Sequence, residues 1–152
     1  MKKILFVCTG NTCRSSMAEG IMKKLIDSVG LNEKYEVDSA GTSVFANFGA
    51  SPNAIRAAAE VDVDLSGHRA KQVTEELLRE ASLVITMTKE HKRLIGEAYE
   101  VAALKTFTLA EYSMGSMDDV ADPFGGSFDE YCYCRDGIMN YLVKMVEILR
   151  KA

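Results

Sequence analysis

The chain lacks features that would indicate a membrane protein, a secreted protein or a nucleic-acid-binding protein. No apolar run approaches the length of a membrane span, and the run after the basic start, residues 4–7, is too short for a signal peptide. Basic residues are not in excess, because the formal net charge is −4 and the pI is about 5.2. We therefore expect neither a membrane nor a nucleic acid as a partner.

The cysteines lack the number and spacing that two further classes of protein would need. The four cysteines are Cys8, Cys13, Cys132 and Cys134. They do not form the framework of a disulfide-rich secreted domain, and no CxxC pair suggests structural zinc. We expect reduced thiols, a cytoplasmic location and no metal. The 152 residues are 47% hydrophobic, which fits one domain over residues 1–152.

Apolar runs alternate with helical patterns along the whole chain, which predicts an α/β fold. The expected architecture is a single, doubly wound parallel sheet with helices on both faces. The predicted strands are residues 3–8, 35–39, 83–87 and 105–109. The predicted helices are residues 15–29, 52–60, 70–81 and 89–98, followed by a last helix that buries Ile138, Tyr141, Leu142, Met145, Ile148 and Leu149. Residues 113–127 form a long polar loop.

A loop between the first predicted strand and the first predicted helix carries the chemistry. Its sequence is a cysteine, five residues and an arginine, followed by a serine: Cys8-Thr9-Gly10-Asn11-Thr12-Cys13-Arg14-Ser15. Such a turn directs backbone N–H groups and a helix N-terminus at one point, which suits phosphate or a similar oxyanion. Gly10 and Asn11 tolerate the left-handed backbone that the turn needs. The loop is therefore predicted to bind phosphate.

Within this loop, Cys8 has the features of a nucleophile. The helix N-terminus and Arg14 are expected to lower the pKa of its thiol well below the free value of about 8.5. Arg14 can hold two phosphate oxygens with its planar fork, and Ser15 can donate a hydrogen bond to the sulfur. These features predict a phosphatase that acts through a phosphocysteine intermediate and needs no metal or other cofactor. The alternative is a buried structural cysteine beside a solvated arginine.

These residues resemble the signature of the low-molecular-weight protein tyrosine phosphatase family. Four segments carry the resemblance: residues 7–15, residues 38–42, residues 68–72 and Asp122-Pro123. The family's fold implies four parallel strands with the phosphate-binding loop after the first. The resemblance also implies that Asp122 is the general acid and then the general base. His68 is implied to support Asn11 and to have a structural role.

Two departures from the family's common pattern resemble its protein arginine phosphatase branch. Thr12 replaces a frequent isoleucine, and Phe124-Gly125-Gly126-Ser127 follows Asp122-Pro123 in place of two tyrosines. Thr12, Phe45 and Phe124 are therefore predicted to form the substrate wall, although Phe45 equally fits loop packing. The preferred substrate is expected to be phosphoarginine in proteins or peptides, and phosphotyrosine is the alternative.

Three other functions remain open on the residues alone. An arsenate reductase would need a relay pair of cysteines in the middle of the chain, yet none lies between Cys13 and Cys132. A phosphocarrier domain would preserve its phosphocysteine, whereas Arg14 together with Asp122 favours hydrolysis. A phosphate-binding module without activity would not need the intact set of Cys8, Arg14 and Asp122.

Overall fold

Four parallel strands form one sheet at the centre of the computed structural model, which describes residues 1–152. The strands are β1 (Lys2–Cys8), β2 (Tyr35–Gly41), β3 (Leu83–Thr86) and β4 (Thr106–Thr108), and their order in the sheet is β2-β1-β3-β4. All three pairings are parallel. The α/β fold predicted from the sequence is confirmed, and each strand lies close to its predicted bounds.

Six α-helices and one short 3₁₀ segment surround the sheet. The helices are α1 (Arg14–Ser28), α2 (Pro52–Ala59), α3 (Glu75–Glu80), α4 (Lys89–Ala98), α5 (Leu109–Met114) and α6 (Phe128–Arg150), and the 3₁₀ segment is Glu100–Ala102. None of the helices is both long enough and apolar enough to cross a membrane. The helices occupy both faces of the sheet, as the doubly wound arrangement requires.

Strand β1 is buried on both faces because it is apolar at every position after its first two lysines. Ile4 and Phe6 contact the larger core, which includes residues of α1 and α6. Leu5 and Val7 contact the smaller core, which includes residues of α3 and α4. A strand whose alternate residues serve two cores holds the central position of a parallel sheet. The loop after β1 is thereby anchored to the most buried element of the fold.

Helix α6 buries four of the six residues that the sequence predicted for its core face. Ile138, Leu142, Met145 and Leu149 are buried, as expected. Ile148 is 38% exposed and Tyr141 is half-buried, so their prediction as core residues is wrong. The four buried residues follow three- and four-residue steps along one face, and the other two lie on its flank.

The helix predicted over residues 70–81 is wrong in its first part. Residues 70–73 run beside the end of β2, where the Gly41 N–H donates to the Lys71 carbonyl at 2.9 Å and the Val73 N–H donates to the Gly41 carbonyl at 2.8 Å. The helix begins only at Glu75, because the Thr74 hydroxyl accepts the Leu77 N–H and caps it. The pairing with β2 therefore overrides the local helical pattern.

The long polar loop predicted over residues 113–127 begins two residues too early. Helix α5 extends to Met114 and ends at Gly115, which has a left-handed φ of 65°. Its start is a capping box in which Thr108 and Glu111 exchange hydrogen bonds. The strand predicted over residues 105–109 includes Leu109, which is the first residue of α5, so the prediction missed this helix start.

The loop of residues 8–15, which the sequence predicts to bind phosphate, lies at the switch point of the sheet. Strand β2 lies on one side of β1, and β3, the next strand along the chain, lies on the other side. Ligands of such sheets bind in the crevice at the carboxyl ends of the strands, where the two directions diverge. The predicted position of the loop after β1 is confirmed.

Gly41 provides the first testable prediction, since the loop passes directly over it. A Cβ at this position would overlap the Thr9 carbonyl oxygen and would lie 2.7 Å from Val44 Cγ2. Gly41→Ala should therefore displace the loop, destabilise the protein by about 1–3 kcal/mol and reduce activity. Thermal unfolding measures the first effect, and hydrolysis of an aryl phosphate, the activity that the resemblance implies, measures the second.

The matched control is Gly96→Ala in helix α4, where a Cβ would meet nothing within 4 Å. This substitution should raise stability by up to about 1 kcal/mol and leave activity unchanged. A Gly41→Ala protein with the stability and activity of the parent chain would contradict the close approach.

Candidate active site

The loop of residues 8–15 connects the buried end of β1 to the start of α1. Helix α1 begins at Arg14 without a side-chain cap on its N-terminus. Its first N–H groups therefore remain available to a ligand in the loop. The Cys8 carbonyl accepts the Thr42 N–H and the Thr9 carbonyl accepts the Ser43 N–H, which fastens the start of the loop to the segment after β2.

Asn11 organises the interior of the loop. It is fully buried and has a left-handed φ of 59°. Its side-chain amide donates to Ser15 Oγ at 2.8 Å and to Ser39 Oγ at 2.9 Å, and its Oδ1 accepts the Lys71 N–H at 3.1 Å. The Asn11 carbonyl oxygen lies 2.6 Å from His68 Nε2. His68 therefore contacts Asn11, which is the contact that the resemblance implied.

The bond from Asn11 determines how Ser15 faces the cysteine. Ser15 Oγ lies 2.8 Å from Cys8 Sγ, and both side chains are buried. Because Ser15 Oγ already accepts a hydrogen from Asn11, its own hydroxyl hydrogen is available to the sulfur. Ser15 thus has the position needed to donate to Cys8.

The strongly lowered pKa expected for Cys8 is wrong in this structure. Burial is the largest influence and raises the pKa of the thiol, which is only 2% exposed. The Ser15 hydroxyl, the charge of Arg14 and the backbone groups of Ser15 and Asn11 lower the pKa and offset part of this rise. The sequence indicates the charged neighbours but not the depth of the sulfur. Formation of the thiolate therefore depends on these neighbours.

Arg14 and Asp122 meet at the mouth of the loop. The Arg14 side chain is buried, and it donates to the Val120 carbonyl at 3.0 Å. One of its terminal nitrogens lies 3.5 Å from Asp122 Oδ2. Asp122 Oδ1 accepts the Phe124 N–H at 3.0 Å, and this carboxyl side chain is half exposed. The late Asp-Pro loop thus places an acid beside the arginine and open to the solvent.

A pocket of about 330 Å³ opens above Cys8 and Arg14. The lining residues include Thr9 and Gly10 of the loop, as well as every residue predicted to form the substrate wall: Thr12, Phe45 and Phe124. Phe48 also lines the pocket. Phe45 is 95% exposed, and Phe124 is exposed as well, so neither is used in core packing. The structure therefore brings the predicted wall residues together around the loop.

The sequence profile of the low molecular weight phosphotyrosine protein phosphatases matches residues 3–152. The chain belongs to this family. It is 44% identical over 148 residues to the protein-arginine-phosphatase of Bacillus subtilis, with 97% of each chain covered. It is 34% identical over 147 residues to the low molecular weight protein-tyrosine-phosphatase PtpB of Staphylococcus aureus, with 97% of this chain and 99% of that one covered.

A solved structure supports the same relationship. A mutant of the YwlE arginine phosphatase with a phosphorylated active-site serine superimposes with a TM-score of 0.94 and 43% identity, and the match covers 98% of this chain and 96% of that chain. Membership in this family identifies the chain as a cysteine-dependent phosphatase. The family identified from the sequence is confirmed.

Sequence reasoning missed a contact between the loop and helix α6. Tyr131 lies in the first turn of α6 and is buried. Its hydroxyl lies 3.3 Å from Cys13 Sγ and 3.4 Å from Ser51 Oγ. Burial is the largest influence on the pKa of Tyr131, which rises to about 12. The neutral hydroxyl of Tyr131 therefore links Cys13 of the loop to α6 and to Ser51, which caps α2. No local pattern in the sequence reveals this proximity.

Sequence reasoning also missed His91, at the start of helix α4. Its ring is buried, with Nε2 lying 2.9 Å from Thr9 Oγ1 and Nδ1 lying 2.9 Å from Thr88 Oγ1. Burial, together with the charge of Arg14, lowers its pKa to about 4, although Asp119, Asp122 and Glu90 act in the opposite direction. The imidazole is consequently neutral near pH 7. The only sequence feature that could have indicated this histidine is its position three residues after Thr88, which caps the helix.

The last two cysteines do not form a relay pair. Cys132 contacts Glu60, whereas Cys134 Sγ lies 3.7 Å from the Ala121 carbonyl, so each faces different surroundings. Burial raises the pKa of Cys134 to about 12, which keeps it a thiol. No group of three or more His, Cys, Asp or Glu side chains is arranged to hold a metal ion.

Ser15 provides the prediction of this subsection. Ser15→Ala should raise the pKa of Cys8, because the hydroxyl hydrogen bond that stabilises the thiolate is lost. The pH dependence of iodoacetamide alkylation, followed by mass spectrometry at Cys8, measures the change. Ser16→Ala is the matched control, since the Ser16 hydroxyl is buried but donates to the Cys13 carbonyl instead. An alkylation profile that is the same for Ser15→Ala and the parent chain would contradict the role of Ser15.

Proposed function

We propose that the chain hydrolyses phosphoarginine in proteins or peptides, with Cys8 as nucleophile, Arg14 as phosphate ligand and Asp122 as general acid and base. The observation that carries the proposal is the placement of Cys8, Arg14 and Asp122 in one pocket that Thr12 and exposed phenylalanines surround. The name of the Bacillus subtilis relative, a protein-arginine-phosphatase, supports the choice of substrate.

The first step transfers the phosphoryl group to the cysteine. The Cys8 thiolate attacks phosphorus while Arg14 and the loop N–H groups hold the three equatorial oxygens. The bond between phosphorus and the guanidino nitrogen breaks, and protonated Asp122 gives its proton to that nitrogen. The products are phosphocysteine and an unmodified arginine side chain.

The second step releases phosphate. The Asp122 carboxylate takes a proton from a water molecule, whose oxygen attacks the phosphorus of phosphocysteine. The phosphorus–sulfur bond breaks, and the Ser15 hydroxyl stabilises the departing thiolate from 2.8 Å. Inorganic phosphate leaves with Asp122 protonated again, which restores the starting enzyme.

Thr12 supports phosphoarginine as the substrate. It lines the pocket and is only partly buried, so its hydroxyl is accessible to a bound side chain. That hydroxyl can accept a hydrogen bond from a guanidinium N–H, which a tyrosine ring does not possess. The exposed faces of Phe45 and Phe124 suit a planar group of either kind. Phosphotyrosine is therefore the second candidate, consistent with the name of the Staphylococcus aureus relative.

Asp122→Asn tests the acid. Activity should fall by about 10²–10⁴-fold on substrates with poor leaving groups and less on activated aryl phosphates, which leave without a proton. Steady-state rates on both kinds of substrate measure the difference. Asp118→Asn is the control, because Asp118 is exposed and accepts a hydrogen bond only within its own turn. An equal loss on both substrates would remove Asp122 from this role.

Thr12→Ile tests the substrate. Isoleucine would crowd the pocket and leave a guanidinium donor unpaired, at a cost of about 1–3 kcal/mol, so the preference for phosphoarginine should fall roughly five- to hundredfold. Hydrolysis of phosphotyrosine should persist or increase. Rates on paired phosphoarginine and phosphotyrosine peptides measure this ratio.

Thr12→Val separates the hydroxyl from the added bulk, because valine keeps the branched shape of threonine without its oxygen. If the hydroxyl is the acceptor, valine should lower the phosphoarginine rate selectively, as isoleucine does. A ratio that neither substitution changes would favour phosphotyrosine as the substrate. Cys8→Ser provides the inactive baseline for both assays.

A further inference from the structure

We propose that His91 is a positioning residue for the phosphatase loop, and that it orients the Thr9 hydroxyl as a hydrogen-bond donor to a phosphoryl oxygen of the substrate. The inference rests on the proposed phosphate site formed by Cys8 and Arg14. It concerns a side chain of helix α4, an element that contributes nothing else to the pocket.

The first step of the argument is the hydrogen on the His91 ring. Thr88 Oγ1 accepts the backbone N–H of His91 at 3.1 Å and lies 2.9 Å from His91 Nδ1. If Nδ1 is the acceptor, the Thr88 hydroxyl hydrogen has a partner; if Nδ1 carries the hydrogen, the Thr88 hydroxyl has no acceptor. Thr88 is the more buried of the two hydroxyls beside the ring, whereas Thr9 is exposed and solvent or a ligand can accept its hydrogen. This difference favours the neutral tautomer with its hydrogen on Nε2.

The second step follows at Thr9. In this tautomer the His91 Nε2–H donates to Thr9 Oγ1, which lies 2.9 Å away, and occupies one lone pair of that oxygen. Thr9 Oγ1 has no other hydrogen-bond partner in the protein, so its own hydrogen is available to a ligand. Thr9 is exposed and lines the same pocket as Cys8 and Arg14. In the proposed complex, the phosphoryl oxygens of the substrate are the groups in this pocket that accept hydrogen bonds.

Rigid surroundings make this orientation persistent. His91 is only 5% exposed, and Thr88 caps helix α4 while it contacts the ring. The Thr9 carbonyl is held by the Ser43 N–H at 3.0 Å. The side chain and the backbone of Thr9 are therefore fixed from opposite sides of the loop, which lowers the entropy lost when the hydroxyl binds a ligand.

The experiment is a double-mutant cycle with Thr9→Val and His91→Leu. Inorganic phosphate as a competitive inhibitor of aryl phosphate hydrolysis reports the inhibition constant, and substrate titration separates KM from kcat. Thr9→Val should raise the phosphate inhibition constant and KM together, about tenfold for a lost bond to a charged group. His91→Leu should shift both constants in the same direction in the parent chain and should add nothing in the Thr9→Val background.

His91→Gln tests rescue, since its amide nitrogen occupies the place of Nε2 and can still donate to Thr9. It should bind phosphate nearly as well as the parent chain. Ile95→Val is the matched control for helix α4, because Ile95 is buried in the smaller core without contact to the loop. It should lower the unfolding temperature and leave the phosphate inhibition constant unchanged.

Two results would overturn the inference: an equal effect of His91→Leu with and without Thr9→Val, or a glutamine variant as impaired as the leucine variant. Thr9→Val and His91→Gln keep the test decisive if the leucine variant fails to fold. A parent chain that phosphate does not inhibit would instead overturn the proposed function.

Discussion

The buried side chain of Asn11 is the constraint on which the active site depends. Its left-handed backbone forms the turn, and its amide joins the loop to β2 and to the segment before α3 through Ser39 and Lys71. The same amide occupies the oxygen of Ser15 and so directs the serine hydroxyl to Cys8. Asn11 thus determines both the shape of the loop and the hydrogen bond to the Cys8 sulfur. Its amide has this effect because a buried amide must satisfy all of its hydrogen-bonding groups.

Burial and charge oppose each other at Cys8. The sulfur lies at the base of the pocket, where desolvation raises the pKa of the thiol, while hydrogen bonds and Arg14 lower it. A buried thiol, such as the proposed nucleophile Cys8, is shielded from water, but it then depends on local donors to ionise. Arg14 is itself buried and bound to the Val120 carbonyl. The late loop therefore orients the arginine and also carries Asp122.

Much of the fold was predictable because its signals are local. The continuous apolar run of β1 specified a strand buried on both faces, and the change to helical spacing after it specified α1. The errors have physical causes in particular residues. Residues 70–73 pair with Gly41 and do not form a helix, and the capping box of Thr108 and Glu111 starts a helix where a strand was expected to continue.

The sequence by itself determined the family and the position of the loop of residues 8–15, because this loop is a short motif with its own chemistry. The acidic residue of the late Asp-Pro pair came from the resemblance to the family. The contact of His68 with this loop was implied by the resemblance, but only the tertiary structure decided that two further distant side chains meet the loop. His91 reaches Thr9 from helix α4, and Tyr131 reaches Cys13 from α6. Such contacts depend on how helices pack against a sheet, and a hydrogen bond between residues far apart in the chain leaves no periodic or local pattern in the sequence.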